Sequence, residues 1–295
     1  MTSETTRWGT RLATAAVAAG AAAAAAAVVA SRRWDARNAR AVRSLHDPAP
    51  AGDPHAPRQQ RHDPELLAAA PVPVQRYLAF ALAAEQPLVR RARFEHVGEF
   101  AAQPGRWNRF TSVQHVTTEP PGFVWMAAIA MKPLPVDIRV RDSYLHGVGS
   151  THAAAGGVLP LGGQEGTPEV ATSALWRYLA EAVWYPTALR PGERLEWMAV
   201  DDRTARATLS DRGATAVADF HFGANGEVVR VTGMRYRAVS GGQLLTATEG
   251  RLTDYARIDG MMVPTTGELA WLLPEGPHAY WRGRLVRTRY QFDDR

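Results

Sequence analysis

The sequence predicts an α+β fold, in which a curved antiparallel β-sheet wraps around one or two helices. The sheet is expected to be a meander that resembles half a barrel. Three observations predict this fold. Short strand-like runs are separated by glycine, proline, asparagine and aspartate; tight-turn sequences join several of the runs; and one helix is apolar around most of its circumference. We also predict a transmembrane helix at the N-terminus.

The N-terminal prediction depends on the uncharged run Leu12–Ala30, in which thirteen of nineteen residues are alanine. A helix of about 20 uncharged residues is long enough to cross a bilayer. Trp34 follows at a position where an indole suits the membrane interface. We therefore assign residues 1–31 to a transmembrane anchor or signal segment. A cleaved signal peptide is the alternative, because Val28–Ala30 resembles a small-residue cleavage site.

Residues 32–64 are predicted to be a basic, proline-rich linker, and residues 65–295 a single globular domain. Polar, proline-rich chain cannot bury enough apolar surface to fold. The two rules for orientation disagree. Arginines after the apolar run place the domain in the cytoplasm, whereas a short basic tail before a single N-terminal span is typical of exported domains. We expect a single-pass membrane protein with an extracytoplasmic domain.

The distribution of charge excludes one class of partner. Residues 1–62 carry nine arginines and four acidic residues, and the remainder of the chain has as many acidic as basic residues. A nucleic-acid-binding protein usually has a basic patch within its folded domain. We therefore expect no nucleic-acid partner, and we expect the N-terminal arginines to meet membrane lipid.

Eleven runs are predicted to be strands. They are Arg93–Phe100, Phe110–Val116, Phe123–Met131, Val136–Val140, Leu195–Val200, Ala205–Leu209, Ala214–Phe222, Val228–Tyr236, Leu252–Tyr255, Met262–Leu272 and Tyr280–Phe292. The sequences at 211–213, 224–226 and 259–260 end in glycine after aspartate, asparagine or arginine, which suits the positive φ of tight hairpin turns. Consecutive hairpins predict an antiparallel sheet and not a parallel nucleotide-binding one.

Two helices are predicted to interrupt the strands. The first covers about Glu65–Ala84 and is broken by Pro71 and Pro73. The second runs from about Pro168 to Tyr185, with Thr167 as its N-cap. Because the second helix is apolar nearly all round, it should be buried on most sides.

The second helix carries two charged residues, Arg177 and Glu181, which lie four residues apart and therefore on one face. A buried charge is costly unless it is paired. We expect the helix to lie in the concave side of the sheet, with this pair satisfied locally. A contact to a ligand headgroup is the alternative role.

Several motifs resemble a known family. Val74–Leu78, Pro121–Trp125 and the longer Arg177–Leu189 occur in the order seen in an uncharacterised bacterial family, domain of unknown function 6544, and the resemblance covers about residues 65–292. Members often carry an N-terminal hydrophobic segment and have no assigned reaction, so the resemblance implies an architecture and no mechanism. The layout is also similar to that of periplasmic lipoprotein-carrier proteins, in which a curved sheet wraps helices around an apolar cavity.

The aromatic residues predict a binding site. Pockets for apolar ligands are lined by aromatic side chains with few polar groups. We predict an apolar or lipid-like small-molecule ligand between sheet and helix, bound by Trp125, Arg177, Tyr178, Glu181, Trp184 and Tyr185. The alternative is an ordinary filled core, which would make the chain a structural or interaction domain.

A second alternative is a hydrolase-like enzyme. Asp142, Tyr144 and His146 alternate, so they share a face if they lie on one strand. A carboxylate, a phenol and an imidazole together could perform acid–base chemistry. The same pattern is also typical of the polar outer face of a sheet, so whether the chain is an enzyme stays open. The histidines are scattered and cysteine is absent, and we predict no metal site and no cofactor.

Overall fold

The computed structural model describes residues 3–47, 64–131 and 136–293. The helices in these residues are α1 (Ser3–His46), α2 (Pro64–Ala69), α3 (Val72–Ala81) and α4 (Pro168–Glu181), and two short 3₁₀ helices follow α4 at Ala182–Trp184 and Pro186–Leu189. The strands are β1 (Val89–Ala101), β2 (Trp107–Thr118), β3 (Pro121–Ala130), β4 (Asp137–Leu145), β5 (Val148–Ala155), β6 (Leu159–Glu165), β7 (Leu195–Asp201), β8 (Thr204–Asp211), β9 (Ala214–Phe222), β10 (Val228–Val239), β11 (Gly242–Ile258), β12 (Met261–Leu273) and β13 (Gly276–Phe292).

The strands form one 13-stranded sheet in the order β6-β5-β4-β3-β2-β1-β13-β12-β11-β10-β9-β8-β7. Each neighbouring pair is antiparallel. The sheet therefore consists of two meanders, β1–β6 and β7–β13, which α4 connects along the chain. The first and the last strand pair with each other at the centre, between Val89 and Phe292 at one end and Phe100 and Trp281 at the other. The predicted antiparallel meander is confirmed.

The sheet is strongly curved, because strands that are far apart in its order meet in its interior. α4 packs against β3, β4 and β5 of one meander and against β8, β9 and β10 of the other. The Tyr144 hydroxyl of β4 donates a 2.9 Å hydrogen bond to the Asp211 carboxylate at the end of β8. Gln243 of β11 donates to Gln164 of the edge strand β6. Both meanders thus wrap around α4.

Local sequence explains the position of α4. The Thr167 side chain accepts a hydrogen bond from the backbone N–H of Val170, and Pro168 occupies the first turn, as predicted. The helix start lies directly on β5 because residue 149 is glycine. A β-carbon at Gly149 would lie 2.4 Å from the carbonyl oxygen of Val170. The apolar circumference of the helix is buried, and the Trp176 indole donates to the backbone of Val217 on β9.

The predicted tight turns occur where expected. Arg212 and Gly213 both have positive φ between β8 and β9, and so do Asp259 and Gly260 between β11 and β12. This conformation matches the right-handed twist of the flanking strands. The first predicted helix is divided into α2 and α3 by Pro71, as its sequence indicated.

The N-terminal prediction is corrected. Within the described part of the chain, no helix combines the length and the apolar character that crossing a bilayer requires. This finding contradicts the predicted transmembrane helix and the single-pass membrane localisation. Alanine, which makes up most of Leu12–Ala30, is nearly neutral on membrane-insertion scales, so the length of this run does not by itself establish a span.

The C-terminal part of α1 packs on the outer face of the sheet. Trp34, expected at a membrane interface, is only 8% exposed, and the Arg141 guanidinium lies 5.8 Å from the centre of its ring. Asp35 pairs with Arg139 of β4 at 3.3 Å. Residues 32–46, the start of the predicted linker, are therefore helical and in contact with β4. The proline-rich remainder, 48–63, lies outside the described residues.

Candidate functional site

A cavity of about 330 Å³ lies between α4 and the inner face of the sheet. One face of α4 forms a wall of this cavity, through residues at positions 170, 173, 174, 177 and 181. These positions follow the spacing of a single helical stripe. The opposite walls are mainly aromatic and aliphatic, and include Phe123, Trp125, Ile129, Val140, Trp271 and Trp281.

Arg177 is the central charged group of the cavity. Its Nε donates to the Glu181 carboxylate at 2.8 Å, and its Nη1 donates to the Asp142 carboxylate of β4, also at 2.8 Å. The guanidinium carbon lies 5.1 Å from the ring centre of Phe123 and 4.7 Å from that of Trp125. Burial opposes the charge of Arg177, but Glu181 and Asp142 outweigh it and hold the pKa of the guanidinium above its ordinary value.

The two carboxylates are themselves fully engaged. The second oxygen of Glu181 accepts a 2.7 Å hydrogen bond from Gln114 of β2. The second oxygen of Asp142 accepts a 2.6 Å hydrogen bond from the Thr151 hydroxyl of β5. We call these five residues the Arg177 network. Each carboxylate oxygen in it has a donor, so the network satisfies its charges internally, as the spacing of Arg177 and Glu181 suggested.

A second arginine lies on another wall, on β10. The Nε of Arg235 donates to the backbone oxygen and the hydroxyl of Ser173, at 3.2 and 3.1 Å. Its Nη1 donates to the Tyr280 hydroxyl at 3.2 Å. Arg237 follows two residues later on the same strand and also lines the cavity. Sequence reasoning missed both arginines.

The six predicted ligand-binding residues occupy two different places. Trp125, Arg177 and Glu181 line the cavity. Tyr178, Trp184 and Tyr185 are buried in the core instead. The Tyr185 hydroxyl donates to the backbone oxygen of Tyr178 at 2.6 Å, and the Trp184 indole donates to the backbone of Pro264 at 3.0 Å. These three side chains therefore hold the end of α4 against the sheet.

The three predicted acid–base residues do not share one site. Asp142 belongs to the Arg177 network, and Tyr144 bonds Asp211 near the other end of β4. His146 lies in the β4–β5 turn with φ of 51°, and its Nε2 is 3.0 Å from the backbone oxygen of Ser44 in α1, on the outer side of the sheet. Asp142 and Tyr144 therefore share a face of β4, as expected, but His146 does not.

A buried histidine lies close to the cavity. His96 of β1 is 2% exposed, and its ring centre is 4.7 Å from that of Trp184 and 5.9 Å from that of Trp281. Neither ring nitrogen has a hydrogen-bond partner among the described residues. Burial, helped by the charge of Arg177, lowers the pKa of His96 to about 3. The ring is therefore neutral near neutral pH.

The geometry does not point to a metal centre. In residues 21–47, 64–131 and 136–293, no group of three or more histidine, aspartate or glutamate side chains is close enough to hold a metal ion.

The family of the protein follows from a comparison with known protein families. Residues 68–290 match the model described as a "Family of unknown function (DUF6920)". The chain belongs to this family. The predicted resemblance to a bacterial family of unknown function is thus supported, but the number 6544 is not confirmed. The DUF6920 match covers β1–β12 and nearly all of β13, and hence every wall of the cavity.

Comparison with solved structures gives distant similarity. The crystal structure of a LolA superfamily protein from Nitrosomonas europaea matches 75% of this chain and 93% of its own, at 12% sequence identity and a TM-score of 0.31. A comparison with curated proteins found no significant match.

Proposed function

We propose that this DUF6920 domain binds an apolar or lipid-like small molecule in the cavity between α4 and the sheet. The observation that carries the proposal is the cavity itself. Its volume of about 330 Å³ falls within the range of small-molecule sites, about 300–1,000 Å³. Its walls combine many aromatic and aliphatic side chains with a few polar groups, as such sites do.

The Arg177 network supports this proposal. A buried charge beside an apolar ligand is unfavourable when it lacks a partner. Arg177 pairs with Asp142 and Glu181, and Gln114 and Thr151 donate to the remaining carboxylate oxygens. An apolar molecule can therefore contact this wall without leaving a charge unpaired.

The rim of the cavity suggests how a ligand enters. Gln164 of β6 and Gln243 of β11 both line the cavity, and their side chains are hydrogen-bonded to each other. A neutral side-chain hydrogen bond contributes only about 1 kcal/mol. Breaking this hydrogen bond therefore costs little free energy. Without it, the edge strand β6 can move away from β11 of the other meander.

Intrinsic fluorescence tests the proposal directly, because Trp125, Trp271 and Trp281 line the cavity. Titration with dodecanol should give a saturable change in tryptophan emission. Ala174→Phe places a ring in the cavity from α4 and should weaken binding at least tenfold. Ala199→Phe adds the same ring at an exposed position of β7 and should leave binding unchanged.

Native mass spectrometry of protein purified from its own host provides a second test. We expect an apolar molecule to co-purify with the wild type and to be depleted in Ala174→Phe. The proposal fails if the wild type is consistently bare and dodecanol gives no saturable signal. Circular dichroism of both variants separates lost binding from lost folding.

A further inference from the structure

We propose that the ligand is an amphiphile with one anionic headgroup, a carboxylate or a phosphate, and that Arg235 and Arg237 of β10 bind this headgroup. This inference rests on the proposed function, because it assigns a ligand class to the same cavity. It depends on an asymmetry between the arginines of the cavity, because Arg177 is bonded to two carboxylates and Arg235 is bonded to none.

Arg235 has only neutral partners among the described residues. Its Nε donates to Ser173, and its Nη1 donates to the Tyr280 hydroxyl. Arginine has five N–H donors in a planar fork that matches a carboxylate or a phosphate. The contacts of Arg235 therefore fix the position of the guanidinium and leave donors for an anion.

Arg237 adds a second cation on the same face. Residues two apart on a strand point to the same side and are separated by roughly 7 Å, which lets two long side chains reach one headgroup. The Nε of Arg237 is buried and has no hydrogen-bond partner in the part of the chain that the structure describes. A buried donor without an acceptor is unfavourable, so an anionic acceptor at this position would satisfy it.

The charges of the cavity lining favour a negatively charged ligand. Three arginines and two carboxylates line it, which leaves one positive charge. Arg177 is already bonded to Asp142 and Glu181, and both carboxylates have their oxygens occupied by donors. The unbalanced charge therefore lies on β10, and the carboxylates that would repel an anion are held by Arg177.

Tyr280 and Trp271 extend the headgroup site toward the apolar walls. The Tyr280 hydroxyl accepts from Arg235, which leaves its proton available for a headgroup oxygen. Burial raises the pKa of Tyr280, so this proton is retained at neutral pH. The Tyr280 ring stacks on Trp271 with centres 5.4 Å apart, and both residues line the cavity. A ligand with its head at Arg235 would therefore place its chain along aromatic walls.

Four ligands with the same dodecyl chain test the inference. They are dodecanoate, dodecyl phosphate, dodecanol and dodecyltrimethylammonium, and binding is followed by tryptophan fluorescence and calorimetry below their micelle-forming concentrations. We expect the two anionic compounds to bind at least about tenfold more tightly than dodecanol, and the cationic one to bind most weakly. Added salt should weaken the binding of the anions more than that of dodecanol.

Variants locate the effect. Arg235→Gln and Arg237→Gln should each reduce dodecanoate affinity by roughly tenfold or more and should reduce dodecanol affinity much less. Arg257→Gln removes the same charge from an exposed site outside the cavity and should change neither affinity. If a β10 variant fails to fold, the comparison of the four ligands on the wild type still decides the question.

The outcomes separate this inference from the proposed function. If dodecanol binds as tightly as both anions, the inference is overturned and the proposed function stands. If no dodecyl compound binds, both fail. Inorganic phosphate is measured alone, and an affinity equal to that of dodecyl phosphate would show an anion site without a chain site, which also overturns the inference. A preference limited to dodecanoate or to dodecyl phosphate identifies which headgroup the site takes.

Discussion

Two walls of the same cavity present arginine in opposite ways. On α4, Arg177 lies close to two aromatic rings and is bonded to two carboxylates. On β10, Arg235 also lies near aromatic rings, 5.8 Å from the centre of Trp271, but its partners are a serine and a tyrosine. The first arginine is part of the structure of the fold, and the second remains available. Proximity to a cavity therefore does not by itself give an arginine a binding role.

The largest expected effect comes from removing Arg177, the cation of the α4 wall. Arg177→Met leaves the buried Glu181 and the partly buried Asp142 without their cation, and removal of one partner from a buried pair typically costs about 3–5 kcal/mol. We expect a loss of this size in the free energy of unfolding, measured by urea denaturation. Arg235→Met, which loses only neutral partners, should cost about 1 kcal/mol.

A further variant provides the control for this comparison. Combining Arg177→Met with Asp142→Asn and Glu181→Gln removes the charges together, and replacing a whole buried network is often nearly neutral. The triple variant should therefore be more stable than Arg177→Met alone. Equal losses for Arg177→Met and Arg235→Met would refute the distinction between the two walls.

The second effect is a pH dependence of the free energy of unfolding. It comes from His96, whose pKa the charge of Arg177 helps to lower. The pKa of His96 is about 3 in the folded protein, and the ordinary value for histidine is 6.5. Between pH 3 and pH 6.5 the unfolded chain therefore binds more protons than the folded protein. The free energy of unfolding should fall as the pH decreases, by about 2 kcal/mol between pH 6.5 and 5. His115, whose pKa burial lowers to about 4, contributes in the same direction.

Two variants isolate the contribution of His96. His96→Phe removes its titration and suits its apolar neighbours Phe94 and Trp184, so the slope of stability against pH should become smaller. His152→Gln, near Glu165 on the sheet edge, serves as the control. An unchanged slope in His96→Phe would show that other groups determine the acid sensitivity.

The smallest effect concerns the rim of the cavity, where Gln164 of β6 meets Gln243 of β11. Gln243→Ala removes the hydrogen bond to Gln164 and should lower the free energy of unfolding by about 1 kcal/mol or less. Dodecanoate should associate faster with this variant in stopped-flow fluorescence. Gln103→Ala, at an exposed position outside the cavity, is the matched control. No change in association rate would mean that ligand enters by another route.

The strands that sequence reasoning found and missed differ in burial. β1, β8 and β9 alternate apolar residues with polar ones and bury the apolar face, and β3 is an apolar run throughout. β6 is a sheet edge with Pro160, Gly162 and Gly163, and nearly all of its residues are exposed. An exposed edge strand has no buried face to impose alternation, and its glycines and proline are also typical of a loop. The sequence analysis also did not predict β5. This strand carries Gly149 at the point where the start of α4 lies against it.

Only the part of the candidate site that depends on local sequence spacing could be predicted. Arg177 and Glu181 lie one helical turn apart, so their pairing followed from the sequence. Asp142 joins them only because β4 faces α4 across the curved sheet. Arg235 and Arg237 reach the cavity through the same curvature, which no local pattern in β10 reveals. Tyr178, Trp184 and Tyr185 face the core because the cavity touches a different stripe of the helix.

The pairing of β1 with β13 determines when this fold can be completed. The two strands are adjacent in space but lie at opposite ends of the domain in the chain. During synthesis, β1 must wait for the last strand to leave the ribosome before its second edge is covered, and such distant contacts form slowly. A premature stop would remove the centre of the sheet and not its border. Shortened chains should therefore expose the middle of the sheet and aggregate, even when they lack only the last strand.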